Sequence, residues 1–189
     1  MPKKYKNKYR IEPNRLQYWD YSAPADYFIT IVTQNRDCIF GTVENGIMKL
    51  SKYGEIVKTE FLKINQYHKR AILDEYIIMP NHVHCIIRLM DYDNDVEEIH
   101  EFPLQPSQQS QSVIKQYRKL RRNMVLIKIL GKFKQQTSKQ INILRNSPGV
   151  KNWQRDFYDH IIRSDVSFQR IKNYIINNPL KWNNDNLNS

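Results

Sequence analysis

The chain has 189 residues, 40% of them hydrophobic and 26% charged, a composition that excludes a disordered protein and suits one compact domain with an appended segment. Its net charge of +11 and twelve tyrosines favour a nucleic-acid partner, through phosphate contacts and base stacking. Two cysteines, Cys38 and Cys85, five glycines and no apolar run near the ~20 residues of a membrane span exclude a disulfide scaffold, a glycine-rich phosphate loop and a membrane protein.

Residues 1–17 read as a basic N-terminal arm, with Lys3, Lys4, Lys6, Lys8, Arg10 and Arg15 against Glu12 alone, and without the apolar core of a signal peptide. A cytoplasmic protein without a nucleotide cofactor is the expectation. Asp26–Thr33 is rich in β-branched and aromatic residues and predicts a strand. Asn45-Gly46 between apolar residues predicts a hairpin turn. Ser51 is placed to cap a helix whose apolar stripe is Ile56, Phe61, Leu62 and Ile64. Ala71–Met79 and His82–Met90 predict two antiparallel strands joined at Pro80-Asn81.

The segment 91–112 carries six acidic residues up to Glu101 and then turns to Pro, Gln and Ser, predicting an acidic, Gln-rich loop. The charge then reverses: from Val113 to Arg155 there are twelve Lys or Arg and no acidic residue. Residues 113–147 read as two basic helices broken near Gly131 and ended before Pro148-Gly149. A short strand follows at Phe157–Ile162, then a helix capped by Asp165 and stopped by Pro179, with 183–189 a disordered tail. This order of elements predicts an α+β fold, an antiparallel sheet with helices on one face.

His82 and His84 flank Val83 within a strand, so both imidazoles leave the same face, about 7 Å apart along the chain. Two imidazoles do not close a metal site, so a third ligand is needed. In the last helix Phe168, Ile171 and Ile175 form the packing stripe, and Tyr174 and Asn178 lie one turn apart at its edge. The Asn178 amide oxygen can complete a two-histidine site for a hard divalent ion, Mg²⁺ or Mn²⁺, although helix capping before Pro179 competes for it. Tyr174 would then stand within reach of a phosphate bound at the ion, where a phenol can attack and later leave. Tyr158 is the competing tyrosine.

Three blocks in order, MPNHVHCII (79–87), WQRDFYDHIIRSD (153–165) and YIINNPLKW (174–182), resemble the HUH single-tyrosine transposases, most of all the REP-associated tyrosine transposases. The resemblance covers most of residues 18–182 and implies a ferredoxin-like or RRM-like sheet. It implies His82 and His84 as paired metal ligands, Tyr174 as nucleophile, and Asn178 as the metal-binding amide where insertion-sequence relatives usually carry glutamine. The implied activity is cutting and rejoining of single-stranded DNA beside hairpins through a 5′-phosphotyrosine link. A replication-initiator or relaxase nickase and a domesticated hairpin-binding protein without cleavage are the alternatives. For DNA contacts the expectation is Lys115, Arg118, Arg121, Arg122, Lys132 and Lys134 along the backbone, with Arg155, His160 and a stacking Trp153. A homodimer, with the site completed by a partner's helix, is open.

Overall fold

A computed structural model describes residues 4–5, 9–10, 19–91, 120 and 122–188. In the basic arm, β1 (Lys4–Tyr5) and β2 (Tyr9–Arg10) pair antiparallel. The strand expected at Asp26–Thr33 is β3 (Ala25–Val32). A hairpin follows, β4 (Gly41–Glu44) and β5 (Ile47–Leu50), turned by Asn45 and Gly46 at φ 51° and 75°. Both turn residues lie in the left-handed region that Asn-Gly tolerates best. Ser51 accepts hydrogen bonds from the Tyr53 and Gly54 amides and starts α1 (Lys52–Phe61), followed by the short α2 (Ile64–Tyr67). The hairpin β6 (Ala71–Ile78) and β7 (His82–Leu89) stands where the sequence predicts it. Then come α3 (Val125–Leu144), β8 (Tyr158–Ile162), α4 (Asp165–Ile176) and a 3-10 helix, Pro179–Asn184.

The main sheet has the order β6-β7-β3-β8 with every neighbouring pair antiparallel. Counted along the chain these are the second, third, first and fourth of its strands, linked as βαββαβ, the ferredoxin-like arrangement. Strand alternation divides the sheet into two faces. Val83, Cys85, Ile87 and Leu89 join Tyr27, Ile29 and Ile31 in the large core beneath α1, α2 and α3. The residues between them face the other way, where Phe28, Ile86 and Ile162 pack against Ile175, Phe168 and Ile171 of α4. Helices on one face therefore describes α1–α3, and α4 lies across the opposite face.

Three expectations are corrected. The basic region is not broken at Gly131: α3 runs unbroken through it, and among the described residues the break comes earlier, at Met124, whose extended backbone (φ −60°, ψ 143°) separates α3 from the helical Arg122 and Asn123. An added Cβ at Gly131 meets nothing within 4 Å, and a helical glycine costs only about 1 kcal/mol. The neighbouring Leu130 and Phe133 are fully buried, and each such burial contributes roughly 1.5–3 kcal/mol, so packing wins. Ser164, not Asp165, caps α4, accepting from the Ser167 amide. Residues 183–188, expected as a disordered tail, finish the 3-10 helix and form a strap: Asn81 Nδ2 donates to the Leu187 carbonyl at 2.6 Å and Arg36 to that of Asn186 at 3.3 Å. Most of the acidic loop 91–112 lies outside the described residues.

Candidate active site

His82 and His84 stand on β7, an interior strand paired on both sides, with Val32 opposite His82 and Thr30 opposite His84. Both side chains are buried, and the rings lean together to a centroid separation of 4.6 Å. Each Nδ1 is engaged by a polar side chain at 2.8 Å, His82 by the Asn81 carbonyl oxygen and His84 by the Thr30 hydroxyl. An amide oxygen can only accept, so His82 carries its proton on Nδ1 and turns the lone pair of Nε2 outward. That Nε2 is buried without a hydrogen-bond partner and lies 3.9 Å from Asp185 Oδ2. Ligand atoms of His82, His84 and Asp185 lie within 4.8 Å of one another. The Asn178 side-chain oxygen is likewise buried and unpartnered.

Two orphaned electron-pair donors beside a carboxylate and a second imidazole are the signature of a cation site, because leaving such groups empty-handed costs about 1–3 kcal/mol each. The donor set of nitrogen and oxygen fits a divalent ion. Protonation fits it too. Burial pushes His82 down to about 4 against the opposing pull of Asp185, and burial with the neighbouring His82 holds His84 well below the ordinary imidazole range. Both rings are therefore neutral at pH 7, the form that binds metal.

Tyr174 reaches this cluster from α4. Its hydroxyl lies 3.3 Å from His84 Nε2, and its ring meets His84 and Phe28 edge-on. The residue as a whole remains 40% exposed. Burial raises its pKa, Asp185 raises it further, and a hydrogen bond with Asn178 acts in the other direction. The i, i+4 relation of Tyr174 and Asn178 survives although α4 ends at Ile176, because Asn178 keeps helical angles (φ −59°, ψ −41°) as the chain enters the 3-10 helix.

Asp185 is the residue that sequence reading missed. The turn of the 3-10 helix and the strap carry it back to His82, a long-range closure with no periodic signature. The available signal was that Asp185 is the single acidic residue after Asp165.

The expected DNA-contacting residues divide. His160 is exposed on the same face as the histidines, opposite Phe28 in the β3–β8 pair, and Arg155 is exposed in the connection leading to β8. Tyr158 is half-exposed there, its ring 6.4 Å from Phe28, whereas Tyr174 touches His84 itself. Trp153 is corrected: it is buried, donates to Thr137 Oγ1 at 2.9 Å and packs on Phe40 and Phe133, so no base can stack on it. Lys134 is corrected as well, since its ammonium donates to the carbonyls of Gln154, Arg155 and Asp156 and pins that loop. Arg122 and Lys132 are exposed, Lys132 lying over the Tyr67 ring, but α3 and its approach are on the face away from the histidines. Lys115, Arg118 and Arg121 lie outside the described residues.

No family model matches the chain. An uncharacterised protein of Haemophilus influenzae (strain Rd) is 34% identical over 175 residues, spanning 92% of this chain and 90% of that protein. The chain belongs to the family of that Haemophilus protein. Among solved structures, it is similar to a REP-associated tyrosine transposase bound to a REP hairpin, at 16% identity over 88% of this chain and 74% of that one, with a TM-score of 0.49. It is also similar to a candidate transposase from Deinococcus radiodurans R1, at 15% identity over 86% and 97% of the two chains, TM-score 0.41. Among the described residues of this family member, no helix is long and apolar enough to cross a membrane.

Proposed function

We propose that the protein is an HUH-type transposase, a tyrosine strand transferase acting on single-stranded DNA beside hairpins. The observation that carries the reading is the Tyr174 hydroxyl 3.3 Å from Nε2 of His84, beside a second neutral imidazole and two further buried or half-buried oxygen donors. His82, His84 and Asp185, with Asn178, are the residues that would hold Mg²⁺ or Mn²⁺. When bound, the ion supplies Lewis-acid polarisation of the scissile phosphate.

The chain's own groups do the rest. Asn81 and Thr30 fix the imidazole orientations through their Nδ1 contacts. Phe28, packed against His84 and edge-on to Tyr174, holds the phenol toward the sheet. In the reaction the Tyr174 Oη–P bond forms as the P–O3′ bond breaks, and the phenolic proton ends on the released 3′ oxygen. The product is a 5′-phosphotyrosine and a free 3′-hydroxyl. Attack by another 3′-hydroxyl reverses the step, with bond energy conserved and no nucleotide cofactor needed.

The test is an adduct assay with 5′- and 3′-labelled hairpin-bearing single strands in Mg²⁺ or Mn²⁺. Wild type is expected to give a denaturant-resistant complex carrying the DNA segment downstream of the cut, and Tyr174→Phe none. An adduct that persists in Tyr174→Phe removes the nucleophile assignment. Intact strands with wild type in both metals would favour a hairpin-binding protein without cleavage.

A further inference from the structure

Among the described residues β8 is an edge strand, paired with β3 alone, and α4 packs most closely on β6 and β7 at the other side of the sheet. On the histidine-bearing face β8 presents Tyr158, His160 and Ile162, opposite Thr30, Phe28 and Asp26 of β3. Ile162 is buried in the small core with Ile175. Tyr158 is 50% exposed and His160 is exposed, although both stand on the same face as the buried histidines. A half-exposed aromatic ring on an edge strand gains little for the fold and is available to a ligand.

The strand register ties this edge to the candidate active site. Thr30 pairs with Tyr158 on one side and with His84 on the other, and its hydroxyl meets His84 Nδ1. Two strand spacings of about 4.8 Å put the backbones of Tyr158 and His84 roughly 10 Å apart. One buried ring connects the groups: Phe28 stacks on His84 at 5.3 Å and meets Tyr174 at 6.1 Å and Tyr158 at 6.4 Å, both edge-on. Charge along the edge suits a phosphate backbone. Arg155 ahead of β8 and Arg163 just after it are exposed, and Asp26 is held by Arg88 at 2.6 and 3.1 Å. An exposed aromatic between cations, continuous with the cluster that would act on the strand, is the pattern of a single-strand track.

We propose that the Tyr158 ring is the stacking platform for one unpaired base of the DNA strand that enters the Tyr174 site along the β8 edge. The proposal rests on the single-strand reading above and names a substrate-holding residue for it. His160 and Arg155 flank the ring with groups that can bond the sugar-phosphate backbone. The ring, not the phenolic hydroxyl, carries the contact, so Tyr158 takes no part in the chemistry. Stacking accepts any base, since every base has a π-face, and it fails only where the base is missing.

The experiment is fluorescence anisotropy with Tyr174→Phe protein as the parent, to prevent cleavage, and two probes: oligothymidylate and an abasic strand of the same length. The parent is expected to bind the oligothymidylate more tightly. Adding Tyr158→Thr, which removes the ring and keeps a residue that suits a strand, should lower the ratio of the two affinities about tenfold, the scale of one base stacked on an aromatic ring. Tyr158→Gln should do the same, which keeps the test decisive if the threonine variant fails to fold. Tyr158→Phe, which keeps the ring, should preserve the ratio. A ratio that survives both ringless variants, or that falls as far in Tyr158→Phe, overturns the platform and leaves the Tyr174 assignment standing. No binding of either strand by the parent at low salt overturns the single-strand reading with it.

Discussion

Asn81 does more than turn a hairpin. Its oxygen accepts from His82 Nδ1, while its nitrogen donates to the carbonyls of Arg36 and Leu187. One buried amide thus sets the tautomer of a candidate metal ligand and ties down the strap that carries Asp185. Asn81→Ala is expected to weaken Mn²⁺ binding by about 10–100-fold, the usual effect of losing the group that orients a ligating histidine. Isothermal titration of the folded variant checks this, with circular dichroism as the control for structure. Unchanged affinity would show that His82 is held by strand packing alone. The sequence displayed Asn81 only as a turn residue, because its three hydrogen-bond partners come from three separate parts of the chain.

At the scale of elements, local signals and packing can be separated by two glycines. Gly131 sits inside α3 with open space where a Cβ would go, so Gly131→Ala should stabilise the protein by up to about 1 kcal/mol. At Gly46, φ is +75° and an added Cβ would stand 2.4 Å from Leu180 Cδ2 in the 3-10 helix, so Gly46→Ala should destabilise it. Urea denaturation of both variants reads the opposite signs. Glu60 couples three helices in another way. It is buried in α1 and accepts from Lys63 at 2.7 Å, from Gln140 of α3 at 2.8 Å and from Tyr67 of α2. Burial alone would raise its pKa, but these three donors outweigh it and hold the carboxyl below the ordinary range. The folded state therefore binds this proton less readily than the unfolded one. The Glu60 contribution is complete above the unfolded value of about 4.5 and is lost as pH falls through the folded value. The stability difference between wild type and Glu60→Gln should accordingly be largest near pH 7 and shrink toward pH 3.

Across the whole molecule, the sheet separates a large core from a small one. Beneath α1–α3 the buried cluster runs from Tyr21 to Ile161, whereas α4 is held by Phe28, Ile86, Ile162 and Ile175 with partly buried neighbours. Local opening free energy follows buried apolar contact, so amides of α4 should exchange hydrogen faster than those of β3, β7 and α3. Native-state exchange measures this directly, and equal protection would mean that the two faces open as one unit. Tyr174, the proposed nucleophile, thus rides on the layer with the smaller buried core, next to histidines on the central strand β7.

Periodicity made the strands, the Asn45-Gly46 turn, the Ser51 cap and the shared face of His82 and His84 legible in the chain alone, since each depends on residues within a few positions of one another. The i, i+4 pair of Tyr174 and Asn178 belongs to the same class. Which face α4 covers, the burial of Trp153, the diversion of Lys134 to three carbonyls and the approach of Asp185 to His82 were decided only by the tertiary structure. Each of those joins groups from distant parts of the chain, and a linear pattern carries no record of which distant groups will share one desolvated space.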